Sequence, residues 1–124
     1  FVCATNHYTT AELARYSQPV MRNSQTRAQL VTDLVAQHAP SITVEEIRAL
    51  LAGRYPQGLC NHFYKEFFGT MYSFIADPMN SRIEICFGSP AVNNWHTFTF
   101  EQPPEVQSFP VELPQAEGFA QFWG

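Results

Sequence analysis

The sequence predicts an α+β domain: an antiparallel sheet with helices on one face. Three observations carry this. Two stretches of helical spacing lie between residues 24 and 52, three runs of period two lie between residues 70 and 100, and a turn signal separates each run from the next. The order, helices first and a strand meander after, fits an α+β layout rather than alternating βα units. At 124 residues the chain has the size of one domain. Eleven phenylalanines argue for a packed interior over the first hundred residues.

The elements follow in order. Phe1-Val2-Cys3-Ala4-Thr5 reads as a short apolar strand that runs into Asn6 and His7. Residues 9–22 are mixed: Thr10-Ala11-Glu12-Leu13 suggests a helical turn that Pro19 ends. A helix over 24–38 then places Leu30, Val31, Leu34, Val35 and His38 on one face, with Asn23 or Ser24 as its cap and Pro40 as its stop. A second helix over 43–52 opens on a capping box, Thr43 with Glu46. It buries Val44, Ile47, Leu50 and Leu51 and ends at Gly53 in the C′ position. Residues 54–69 have no clear period and hold Phe63, Tyr64, Phe67 and Phe68. These rings either line an apolar pocket or pack as core beneath a loop.

"TMYSFIAD" (70–77) reads as a strand buried on both faces, and Asp77-Pro78-Met79-Asn80 as a turn. "RIEICFG" (82–88) alternates Ile83, Ile85 and Phe87 against Arg82, Glu84 and Cys86, so one face is the more polar. "WHTFTF" (95–100) completes the meander. Strand 1–5 is expected to join the same sheet. Two segments result: a domain over 1–100, and a Pro-rich acidic arm over 101–124 that docks on the body or on another chain.

Charge narrows the function. Residues 1–100 balance seven acidic against seven basic side chains, so the net charge of −4 falls in the arm, on Glu101, Glu105, Glu112 and Glu117. Without a basic stripe to neutralise phosphates, nucleic acid is excluded as a partner. No run reaches the length of a membrane helix, which sets aside a membrane partner. Cys3, Cys60 and Cys86 are odd in number and scattered, which is not a disulfide framework.

Two places offer chemistry. Asn6, at the end of an apolar run, is either a turn residue that satisfies its own backbone or an amide that donates to a developing oxyanion. Cys60 and His62 in "LCNHF" are too few for a structural metal site, which needs four ligands. They lack an evident orienting acid for a nucleophile–base pair, so a thiol and imidazole packed in an aromatic-rich loop is the plainer reading.

Taken together, "TNHY", "ELARYSQPVMRNSQTR", a helix pair, "GTMYSFIADP" and "RIEICFGSP" resemble the C-terminal part of the linear-amide C–N hydrolases, the choloylglycine hydrolase and penicillin acyltransferase-like group, over about residues 2–100. The resemblance implies an N-terminal-nucleophile hydrolase fold, of which this chain would form half of the αββα sandwich. It implies a cysteine nucleophile whose own α-amine is the base, and an acyl-enzyme formed from an amide or thioester. It assigns Asn6 to the oxyanion hole. It also places the nucleophile upstream of "TNHY", so the chain reads as a C-terminal fragment without turnover of its own. The supporting Arg and Asp of the group would be missing too, and neither Arg54 nor Lys65 matches the later Arg.

Substrate contact is expected from His7, Tyr8, His62, Phe63, Tyr64 and Thr70. The expected partners are a small amide or thioester and the missing N-terminal portion or a second copy, with no cofactor and no metal. The compartment stays open, with the cytoplasm as default. The rival readings are a non-catalytic ligand-binding module of the same fold, and an oligomer-forming fragment whose arm reaches a neighbour.

Overall fold

A computed structural model describes residues 1–16, 22–101 and 107–120. Pro19 and Glu105, which the sequence reading used, and the rest of arm residues 102–106 and 121–124 lie outside the described residues. The fold class is α+β, with helices and an antiparallel sheet. The chain forms two compact units, Phe1–Leu59 with Glu117–Gly124 and Cys60–Ala116.

The first unit is helical. Helix α1, Ala11–Ala14, is a single turn. Helix α2, Arg22–His38, begins a residue before the two polar side chains expected to cap it. Asn23 and Ser24 instead sit inside its first turn, fully buried: Ser24 accepts from the Asn6 N–H outside the helix, and Asn23 Oδ1 accepts from Arg27 one turn further along it. Helix α3, Val44–Ala52, has the expected capping box. The Glu46 N–H donates to Thr43 Oγ1 at 3.2 Å, and the Thr43 N–H donates to Glu46 Oε2 at 2.8 Å.

Gly53 ends α3, but at φ −58° it is not in the left-handed conformation of a C′ glycine. It is needed for closeness instead. A Cβ on Gly53 would lie 2.9 Å from the Gly58 Cα, and one on Gly58 would run into the Gly53 backbone. The chain after α3 thus turns back against the helix end, and the Leu59 N–H reaches the Leu50 carbonyl at 3.1 Å.

Residues 1–5 are not a strand, and they are not part of the sheet. An apolar run makes a strand only where a neighbour offers a ladder, and among the described residues none pairs with it.

The second unit holds two antiparallel sheets. Strands β1, His62–Phe63, and β2, Phe68–Gly69, form a short ribbon around a 3-10 turn. The Tyr64 ring lies against Gly69, where a Cβ would strike it, and the Tyr64 hydroxyl donates to the Thr70 carbonyl at 2.7 Å. At the ribbon's tip Phe67 takes a left-handed φ of 57° and is 98% exposed. The aromatic stretch is therefore neither all pocket nor all core: Phe63 is buried, Tyr64 half-buried and Phe67 outside.

The meander is β3, Tyr72–Asp77, β4, Arg82–Phe87, and β5, Trp95–Thr99, in the order β3-β4-β5. Its register pairs Phe74 with Ile85 and Ile85 with His96, so these three share a face. One expectation is corrected. Strand β3 is not buried on both faces: Tyr72 and Phe74 are exposed, because β3 is an edge strand paired only with β4. On β4 the more polar face is the more buried one. Glu84 and Cys86 are buried, whereas Ile83, Ile85 and Phe87 are half-buried. Arg82, within 3.8 Å of Glu84 and 3.5 Å of Asp77, offsets the charge drawn inward there.

The apolar face gains a cover from residues 107–116. Phe109 packs against Phe87, His96 and Phe98, at ring-centroid distances of 5.0, 4.2 and 6.2 Å. Asn93 clamps the same segment. Its side-chain oxygen accepts from the Glu112 N–H at 2.8 Å and its amide donates to the Glu112 carbonyl at 2.9 Å. The Ala116 N–H reaches the His62 carbonyl at 2.7 Å. Arm residues 107–116 therefore pack in cis against the meander, as part of the second unit.

Candidate active site

Asn6 is held from two sides by α2. Its backbone N–H donates to Ser24 Oγ at 2.8 Å, and its side-chain oxygen accepts from Arg27 Nη2 at 2.6 Å. Arg27 in turn donates from Nε to Asn23 Oδ1 at 2.8 Å. The spacing explains the arrangement. Asn23 and Arg27 lie four residues apart on one helix face, with Ser24 beside them. Burial draws the Arg27 guanidinium down from its ordinary value.

This geometry decides which way the Asn6 amide points. A guanidinium carries only donors, so the atom facing Arg27 must be the oxygen and the NH₂ group points away from it. Among the described residues Asn6 Nδ2 has no hydrogen-bond partner, and Asn6 is exposed. The turn reading, in which Asn6 satisfies its own backbone, does not describe what its side chain does here.

His7 sits on the same anchor. Its Nδ1 is 2.8 Å from Ser24 Oγ and 2.9 Å from Thr5 Oγ1. Ser24 Oγ thus meets both the Asn6 N–H and the His7 ring. Tyr8, next along, is exposed. Sequence reasoning singled out Asn6 and did not connect Ser24 or Arg27 to it. The readable signal was a polar i, i+1, i+4 set opening a helix.

The other sequence-predicted residues lie in the second unit. His62 and Phe63 are buried on β1. His62 Nε2 is 2.6 Å from Ser89 Oγ, which donates to Cys60 Sγ at 3.2 Å. The three side chains are each at most 3% exposed. Thr70 Oγ1 accepts from the Asn61 N–H at 3.0 Å, and burial pushes the Tyr64 hydroxyl up. These groups bond to one another across the ribbon and the Ser89 turn. Among the described residues no three His, Cys, Asp or Glu side chains converge on a metal position. No helix among them is long and apolar enough to cross a membrane.

Of the three free cysteines, Cys60 and Cys86 are buried and Cys3 is half-buried. Burial pushes the Cys86 thiol up, away from the thiolate that attacks.

A helix-anchored amide with an outward NH₂ is a donor set of the kind acyl-transfer enzymes use. The family comparison agrees on the class: residues 1–92 match the model of an acyltransferase and amide hydrolase-type, N-terminal-nucleophile-like family. The chain belongs to the acyl-coenzyme A:6-aminopenicillanic acid acyl-transferase family. No curated protein and no solved structure matches it.

Proposed function

We propose that this segment supplies the oxyanion side of a cysteine-nucleophile enzyme that cleaves or forms linear amide bonds through an acyl-enzyme. Asn6 is the donor to the tetrahedral oxyanion. The observation that carries the reading is the fixed orientation of its amide, oxygen toward Arg27 and NH₂ outward. The nucleophile is none of Cys3, Cys60 and Cys86: Cys60 and Cys86 are buried, and the α-nitrogen of Cys3 is tied up in its peptide bond to Val2 and cannot serve as the base. The attacking thiolate then comes from the portion of the intact protein that precedes this segment.

Tyr8, exposed two residues from the donor, is the side chain best placed to meet the acyl group, with His7 beside it. His62, Phe63, Tyr64 and Thr70 support the ribbon from within. The substrate is a small amide or thioester, and the segment pairs with the preceding portion or, alone, with a second copy.

The test is Asn6→Ala in the intact protein. An oxyanion donor acts mainly in the transition state, so kcat should fall by about 10²–10³ with little change in KM. An unchanged kcat with a lowered denaturation midpoint would make Asn6 structural and remove the assignment. The isolated 124-residue chain should show no turnover. Turnover that disappears in Cys3→Ala would also overturn the reading.

A further inference from the structure

An exposed asparagine amide ordinarily rotates, and its two ends differ in sign. To serve an oxyanion it must present NH₂ and never oxygen, and nothing in Asn6 itself secures that. The security comes from α2. Arg27 spans two acceptors with two different nitrogens, Nε to Asn23 Oδ1 and Nη2 to Asn6 Oδ1. Asn23 is fully buried, so the guanidinium plane is fixed at its inner end. Ser24, also fully buried, fixes the Asn6 backbone through its N–H. The amide is thus held at the backbone by one neutral bond and at the oxygen by one charged bond.

We infer that Arg27 is a positioning residue: its planar fork, seated on Asn23, locks the Asn6 amide with its NH₂ outward and polarises it as a donor. The inference rests on the oxyanion reading of Asn6 for its kinetic consequence. Polarisation follows because a carbonyl that accepts a charge-assisted bond makes its own N–H groups better donors. Lysine cannot replace the fork. It brings one point charge and no second, coplanar donor to reach Asn23 and Asn6 together.

The experiment has two parts. In the intact protein, Arg27→Lys, Asn6→Ala and the double variant are compared by kcat, KM and denaturation midpoint. Arg27→Lys should lower kcat tenfold or more, short of the about 10²–10³ expected for losing the donor outright. KM should hold, and in the Asn6→Ala background the same change should cost nothing further. An equal loss in both backgrounds would show that Arg27 acts elsewhere. A wild-type kcat for Arg27→Lys beside a slow Asn6→Ala would overturn this inference alone, whereas a wild-type kcat for Asn6→Ala would remove the oxyanion reading beneath it. The second part needs no substitution. Side-chain ¹⁵N relaxation of Asn6 in the 124-residue chain should give an order parameter near that of rigid backbone, about 0.85. A value below about 0.6 would mean a free rotor and overturn the inference even if Arg27→Lys fails to fold.

Discussion

Ser24 shows how one side chain can carry two tasks. Its hydroxyl accepts from the Asn6 N–H and stands 2.8 Å from His7 Nδ1, inside a first helical turn where it is wholly buried. Ser24→Ala would leave the Asn6 N–H without its acceptor. An unpaired polar group costs about 1–3 kcal/mol where water cannot take its place. A denaturant titration should therefore show a lowered midpoint with an unchanged slope. A wild-type midpoint would mean that water reaches the Asn6 N–H after all. The sequence pointed to Asn6 but cast Asn23 and Ser24 as helix caps. The same short polar side chains cap helices and anchor distant backbone, and only the three-dimensional neighbourhood selects between the two.

Among the elements, α3 was the most legible, because a capping box is local chemistry written within four residues. The Thr43 N–H bond to the Glu46 carboxylate is the first cause that holds its pKa below the ordinary value, with His38 adding a smaller pull. Since the folded pKa is depressed, the contribution to stability is present above the unfolded value of 4.5 and is lost as pH falls through the lower folded value. Glu46→Gln keeps a capping side chain but removes the titration. The stability gap between wild type and variant should hold from neutral pH down to about 4.5 and close below it. A gap that stays constant down to pH 2 would show that the charge is not what matters. The strand over 1–5 was illegible for the opposite reason: pairing is not local, and an apolar run cannot say whether a neighbour will meet it.

At the scale of the molecule, the meander was legible from period two, but not which face would be buried. Glu84 and Cys86 went inward while Tyr72 and Phe74 stayed out, because alternation marks two faces without saying what each will meet. Residues 107–116 cover the β4–β5 side, and Met71, Tyr72 and Phe74 at the β3 edge remain 55–63% exposed. An apolar edge of this kind favours association. The 124-residue chain should sediment as a species heavier than its 14.1 kDa, and the double change Tyr72→Lys, Phe74→Lys should shift it toward that mass. A wild-type chain that is already monodisperse at 14.1 kDa would contradict this.

The docked arm also has a consequence in time. A ribosome releases the meander before its cover: Phe109 follows the last residue of β5 by ten positions. At about 5–20 residues per second, synthesis leaves an interval of about 0.5–2 s in which Phe87, His96 and Phe98 have a sheet to sit on and no ring above them. A hairpin closes in microseconds, so the strands can assemble within that interval and wait. The nascent sheet is stickiest during that interval, and the arrival of Phe109 over Phe87, His96 and Phe98 ends the exposure.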